Sequence, residues 1–261
     1  MSALDEDGFL GGRIEAWIRE HRASHKDLLT LAEALNRESH TFLHGRAVTI
    51  TDTKRLTSIV LFARMMELYQ AVLLVVDRGS RSGTRVIFRA FLEAFFHFAA
   101  IHKDAAYLDE YLDQFENERK SLINRIRNTD DPVLEDLRRP IDDTLVAEIQ
   151  NIEVRRVNIE EVARRGGCHN IYVTAYALLS RSVHSSAGDL EAHLALDNEG
   201  ENIVGFRYGP TDEETVRTVG LAGITLAEAL REVSKDFDED RAESCERFVA
   251  NFKSILKVPS Q

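Results

Sequence analysis

Two stretches of this chain carry polar residues at a spacing that could do chemistry. In RVIFRAFLEAFFHFAAIH, which begins at residue 85, Arg85, Arg89, Glu93 and His97 recur every four residues, with almost only apolar residues between them. Spacing by four stacks side chains along one helix face, drifting about 40° per step. Arg89 and Glu93 are also placed to neutralise one another. The stretch IYVTAYALLSRSVH repeats the pattern with Tyr172, Tyr176, Ser180 and His184. One face there offers two phenols, a hydroxyl and an imidazole. If the ridges face each other, Arg89, Glu93, Tyr176, Ser180 and His184 form one buried polar cluster. A buried polar group left unpaired costs about 1–3 kcal/mol, so each ridge calls for the other. The chemistry on offer is acid–base, with Glu93 holding Arg89 while Ser180 or Tyr176 orients His184. Arg89, Glu93, Ser180 and His184 are therefore the candidate catalytic residues. A network of this composition also serves simply to pin helix register.

Arg78, Arg81, Arg85 and Arg89 cluster around a predicted helix start, where an anion would meet guanidinium groups and a helix N-terminus together. The expected ligand is RNA or another phosphate-bearing molecule; the plainer alternative is solvated arginines plus one salt-bridged Arg89. Other constellations are weaker. His21/His25 and His40/His44 have metal-ligand spacing but no identifiable third ligand. Cys168 and His169 are sequence neighbours, about 100° apart on a helix, which suits no nucleophile–base pair. There is no phosphate-binding glycine loop and no nucleophile elbow. No metal and no cofactor are expected.

The elements that position these residues follow from periodicity. Residues 1–12, with Gly8, Gly11 and Gly12, read as a mobile tail. One helix is predicted from about Arg13 to His44 and another from Leu56 to Asp77. A third runs from Ser82 or Thr84 to His102. The last two are the most apolar, belong at the centre of a bundle, and are antiparallel because GSRSG joins them. On the second of the three, Arg64 and Glu67 form a further i,i+3 pair. Residues 104–128 form a more polar helix with Tyr107, Leu108, Tyr111, Leu112, Phe115, Leu122 and Ile126 inward. Charged helices at 133–150 and 158–165 make a peripheral excursion over about residues 130–166. A helix at Ile171–Ser185 precedes two apolar runs flanking DNEGEN, a β-hairpin near 193–208. Helices from Thr211 to Phe237 and from Asp240 to Leu256 complete the chain. The fold class is mainly α, a single antiparallel helical domain over 13–257 with one small hairpin.

Composition bounds the partners. The 261 residues carry a net charge of −11, and residues 166–261 alone contribute 9 basic and 16 acidic side chains. A broadly basic nucleic-acid binder is excluded, though a local basic stripe is not. Two cysteines build no disulfide framework, so a reducing cytoplasm is expected. The N-terminus has no apolar signal region. The longest strongly aliphatic run, Ala71–Val76, is far short of the roughly 20 residues of a membrane span, so no membrane is expected.

The segments RVIFRAFLEAFFHF and YALLSRSVHSSAGDLEAHL resemble the two motif blocks of an uncharacterised bacterial helical family, a domain of unknown function, over roughly residues 55–235. The matching positions are Arg89, Glu93, Ser180 and His184. Such families are similar, more distantly, to HEPN domains, many of them metal-independent ribonucleases of toxin and phage-defence systems. Those nucleases carry an Arg and a His four to six residues apart on one helix; here Arg181 and His184 are three apart. The resemblance implies two readings. One is a helical binding or regulatory module in a bacterial defence or stress system. The other is a HEPN-like ribonuclease. It also implies a homodimer, which the apolar seam around Trp17 would suit. The ligand-binding candidates are Arg81, Arg85, Tyr176 and Arg181.

Overall fold

The structure, a computed structural model, describes residues 8–138, 141–150, 158–183 and 190–257. It is mainly helical, with one small antiparallel hairpin. The centre is the antiparallel pair α3 (Thr53–Asp77) and α4 (Arg81–Lys103). The Asp52 carboxylate caps α3 by accepting the Arg55 N–H at 3.1 Å. Gly79, at φ +70°, makes the reversal, and the Trp17 ring lies so close that a Cβ there would sit 2.7 Å from it.

Around this pair pack α1 (Ile14–Ser24), α2 (Lys26–Leu43) and α5 (Tyr107–Arg127), with α6 (Glu135–Arg138), α7 (Asp143–Gln150) and α8 (Ile159–Arg165) following. The chain then runs through α9 (His169–Ile171), a π-helical turn (Tyr172–Tyr176) and α10 (Ala177–Val183). Strands β1 (Leu194–Leu196) and β2 (Ile203–Phe206) lead to α11 (Asp212–Lys235) and α12 (Ala242–Leu256). The core brings together Phe42 of α2, Phe62, Met65 and Tyr69 of α3, Phe91, Leu92 and Phe96 of α4, Leu226 and Leu230 of α11, and Phe252 of α12, all fully buried. Each such side chain contributes about 1.5–3 kcal/mol by leaving water.

Several expectations need correction. The predicted first helix is two, parted at His25, where φ −111° and ψ 24° leave the helical region. Of the expected tail, residues 8–12 form hydrogen-bonded turns, with the Gly11 N–H on the Gly8 carbonyl at 3.2 Å; residues 1–7 lie outside the described residues. Leu112 and Leu122 are exposed whereas Ile123 is buried, so the inward stripe of α5 runs beside them, and the side chain of Phe115 lies outside the described residues. Arg64 and Glu67 lie on the exposed face of α3. The charged excursion is not wholly peripheral, since Val162 and Ala163 of α8 are fully buried.

α3 is long and apolar enough to cross a membrane by length and composition, with mean hydropathy 1.9 over 18 residues. Unbroken aliphatic runs did not reveal this, because polar residues punctuate the helix. In this fold Phe62, Met65, Met66, Tyr69 and Val72 of that helix are core residues.

α11 crosses α12 at Gly223, where an added Cβ would lie 2.3 Å from Phe252 Cζ. Gly223→Ala gains about 1 kcal/mol of helix propensity but overpacks the contact by about 1–3 kcal/mol. A lower urea midpoint with unchanged slope is the expected outcome; a raised midpoint would mean that Phe252 has room to move.

Candidate functional site

The site starts from α4. Arg89 sits on the helix that buries Phe88, Phe91, Leu92, Phe95 and Phe96. Its first partner is local, Glu93 one turn on, at 2.8 Å. The others come from across the bundle. Arg89 donates to the Tyr176 phenolic oxygen at 2.7 Å and to Ser180 Oγ at 3.2 Å. Its guanidinium also lies over the Tyr176 ring, 5.0 Å from the centroid. Tyr176 in turn donates its hydroxyl proton to Glu93. Burial, together with the hydrogen bond and negative charge of Glu93, pushes the Tyr176 phenol up to about 12. The phenol therefore keeps its proton and acts as donor to Glu93 and acceptor from Arg89 at once. The structure thus brings together Arg89, Glu93, Tyr176 and Ser180. His184 lies outside the described residues.

Local backbone geometry sets the aim of Tyr176. The chain enters α10 through the π turn, in which the Ala177 N–H reaches back to the Tyr172 carbonyl. Tyr172 and Tyr176 stack there at 5.3 Å, and Phe96 meets Tyr176 edge-on at 5.6 Å. Equal spacing in the sequence could not reveal that one turn is wider than its neighbours.

The rest of the predicted α4 ridge divides. One step further on, drift carries His97 away from the cluster to α5, where Nδ1 lies 2.7 Å from the Tyr107 hydroxyl. Burial lowers that imidazole to about 4 despite the charge of Glu93. Towards the N-terminus, Arg81 and Arg85 both donate to one oxygen of Glu214, each at 2.6 Å. The other Glu214 oxygen accepts the Thr211 N–H at 3.0 Å, while Thr211 Oγ1 accepts the Glu214 N–H at 3.1 Å. This capping box opens α11. Burial pushes the Glu214 carboxyl upward, but the Thr211 N–H and the two arginines hold it below its usual value. Thr211-Asp-Glu-Glu214 is a visible box motif, so the sequence offered a signal for the cap. Nothing in it paired Glu214 with residues some 130 positions away.

A cleft of about 1070 Å³ opens between α4, α10 and α11. Its bed is apolar, with Phe88, Leu178, Leu179 and Leu221. Its mouth is charged: five cations (Arg81, Arg85, Arg181, Arg217 and Lys257) against three carboxylates (Asp212, Glu213 and Glu214). Thr215, 1 % exposed, also lines it, and its buried hydroxyl has no hydrogen-bond partner among the described residues. Arg89 and Glu93 do not line the cleft; they lie one and two turns further along the α4 face whose Arg81, Thr84, Arg85 and Phe88 do.

The remaining constellations pack against their own neighbours. His21 is sandwiched between Trp17 at 4.5 Å and His25 at 4.7 Å. Burial and the neighbouring His25 lower it to about 4. His25 pairs with Asp212 at 3.1 Å, and His40 meets Gln70. Among the described residues no cluster of three or more His, Cys, Asp or Glu side chains could hold a metal. The buried Cys168 thiol is pushed up to about 11 by burial, and His169 turns to Glu160 at 3.1 Å instead.

Residues 56–202, more than half of the chain, match the profile of DUF5677, a family of unknown function, and the chain belongs to that family. No curated protein and no solved structure matches it. The matched segment contains the whole Arg89 cluster, whereas Glu214 and the α11 wall of the cleft lie beyond it.

The two lowered imidazoles carry a pH signature. Unfolded histidine titrates near 6.5, whereas His97 and His21 resist protonation down to about 4. Between these values the unfolded chain takes up protons that the native state refuses. Stability is therefore full above about pH 6.5 and falls as pH drops towards 4. Asp77 and Glu228, raised by burial, act in the opposite sense. Urea midpoints at about pH 7.5 and about pH 5 are expected to differ less in His97→Gln than in the parent; equal differences would contradict the assignment.

Proposed function

We propose that this protein is a binding module, with a cleft that takes a ligand combining an apolar body with an anionic group such as a phosphate. The observation that carries this is the convergence of Arg81 and Arg85 on a single Glu214 oxygen above an apolar bed. Two guanidiniums held side by side at the N-terminal end of α4 are the fork geometry that recognises a multiply charged anion such as a phosphate. The charge balance of the lining supports the same reading, because a chain of net charge −11 gathers five cations against three carboxylates there. Mostly apolar walls with a few convergent polar groups are the usual make-up of ligand pockets. In this reading the Arg89 cluster is a positioning element and Arg181 and Arg217 form the rim. The resemblance to defence-associated helical families gives a regulatory role in a bacterial defence or stress system as the biological setting.

A second reading is a HEPN-like, metal-independent ribonuclease. Its support is Arg181 on the same cleft, three residues before His184 in sequence, with Arg81 and Arg85 on hand for an RNA backbone. Labelled RNA incubated with the protein in EDTA separates the two. Cleavage abolished in His184→Ala supports the nuclease, and intact RNA supports the module.

Anilinonaphthalene sulfonate, an apolar ring system bearing one anion, is a direct probe of the cleft. Saturable binding at one site is expected, competed by inorganic phosphate and weakened about tenfold, or about 1.4 kcal/mol, by Arg85→Ala. Binding indifferent to both Arg81→Ala and Arg85→Ala would overturn the proposal.

A further inference from the structure

The β-hairpin exposes more apolar surface than two strands ordinarily leave in water. Ile203 is 60 %, Val204 65 %, Phe206 64 % and Tyr208 61 % exposed. Among the described residues β2 pairs only with β1, so its outer edge is open. A two-stranded ribbon is marginal in water, and an open apolar edge is a template for another strand. The ladder is also incomplete within the hairpin. Leu196 pairs with Ile203 and Ala195 with Gly205, which leaves Val204 with no residue opposite it.

The charges around β2 say what fits this edge. Glu201 lies three residues before Val204 and Arg207 three residues after it, both exposed. Neither side chain has an ion-pair partner among the described residues. Laying a second β2 antiparallel to the first, with Val204 opposite Val204, sets Glu201 of each copy opposite Arg207 of the other. Ile203 then faces Gly205, where the absent side chain leaves room, and Asn202 faces Phe206. A sequence that is charge-complementary to its own reverse suits an isologous two-fold contact.

We infer that β2 is a self-association edge, and that two copies of this chain join β2 to β2 into one four-stranded antiparallel sheet, β1-β2-β2-β1. Four paired residues bury less than the roughly 1,000 Å² of a stable interface, and the net charge of −11 opposes association. The dimer is therefore weak and concentration dependent.

Sedimentation velocity from about 1 to about 200 µM tests this. The expected result is a mass rising from the 29.6 kDa of one chain towards twice that value. Glu201→Arg, which sets Arg against Arg on both sides, abolishes the rise, and so does Val204→Lys, which guards the edge. Adding Arg207→Glu to Glu201→Arg restores it. Far-UV circular dichroism confirms that each exposed-site variant retains its helices. A monomer at every concentration, or a dimer that Glu201→Arg leaves intact, overturns the inference.

Discussion

Everything at the cleft depends on finding partners for one guanidinium. Arg89 sits on the helix that supplies much of the aromatic core, and its guanidinium, only 24 % exposed, needs partners for the donors that water no longer satisfies. Glu93 neutralises the charge locally but leaves most of the five N–H donors to be satisfied. Tyr176 and Ser180 meet that demand, which obliges the segment carrying them to lie across α4. Tyr176 serves because it is amphipathic: its ring packs on Phe96 while its hydroxyl joins the ion pair. Once that face is fixed, Leu178, Leu179 and Arg181 fall on the cleft side.

The opposite wall rests on a similar economy. Glu214 closes the capping box of α11 with one oxygen and gathers Arg81 and Arg85 with the other. The start of α11, the charge at the mouth of the cleft and the N-terminal end of α4 are therefore coupled through one carboxylate. A ligand anion that drew the two arginines away would act on the helix cap at the same time.

Much of this arrangement is legible in the sequence, and its limits are physical. Period four on two apolar segments identified both ridges, and the cost of unpaired buried charge linked them, so Arg89, Glu93, Tyr176 and Ser180 meet as their spacing implies. The hairpin followed from its turn, because Asn, Asp and Gly between two short apolar runs leave few alternatives. Periodicity reports which face is buried but not against what. It extended the ridge to His97, though cumulative drift delivers that ring to Tyr107. It ran one helix through His25, because the apolar spacing continues unbroken across the break between α1 and α2. It could not register a π turn, which changes hydrogen bonding without changing composition. It left Glu214 as one of several acids at a helix start, because a carboxylate's distant partners leave no local trace.

The central claim is that the need of Arg89 for partners holds α10 against α4, and a double-mutant cycle measures that bond directly. Urea unfolding of the parent, Arg89→Ala, Tyr176→Phe and the double variant gives the interaction energy free of the single-site costs. Coupling of about 1 kcal/mol or more, with the double variant less destabilised than the sum of the two, is the predicted result. Additivity to within about 0.3–0.5 kcal/mol would mean that the two side chains merely lie near each other and that something else positions the wall of the cleft.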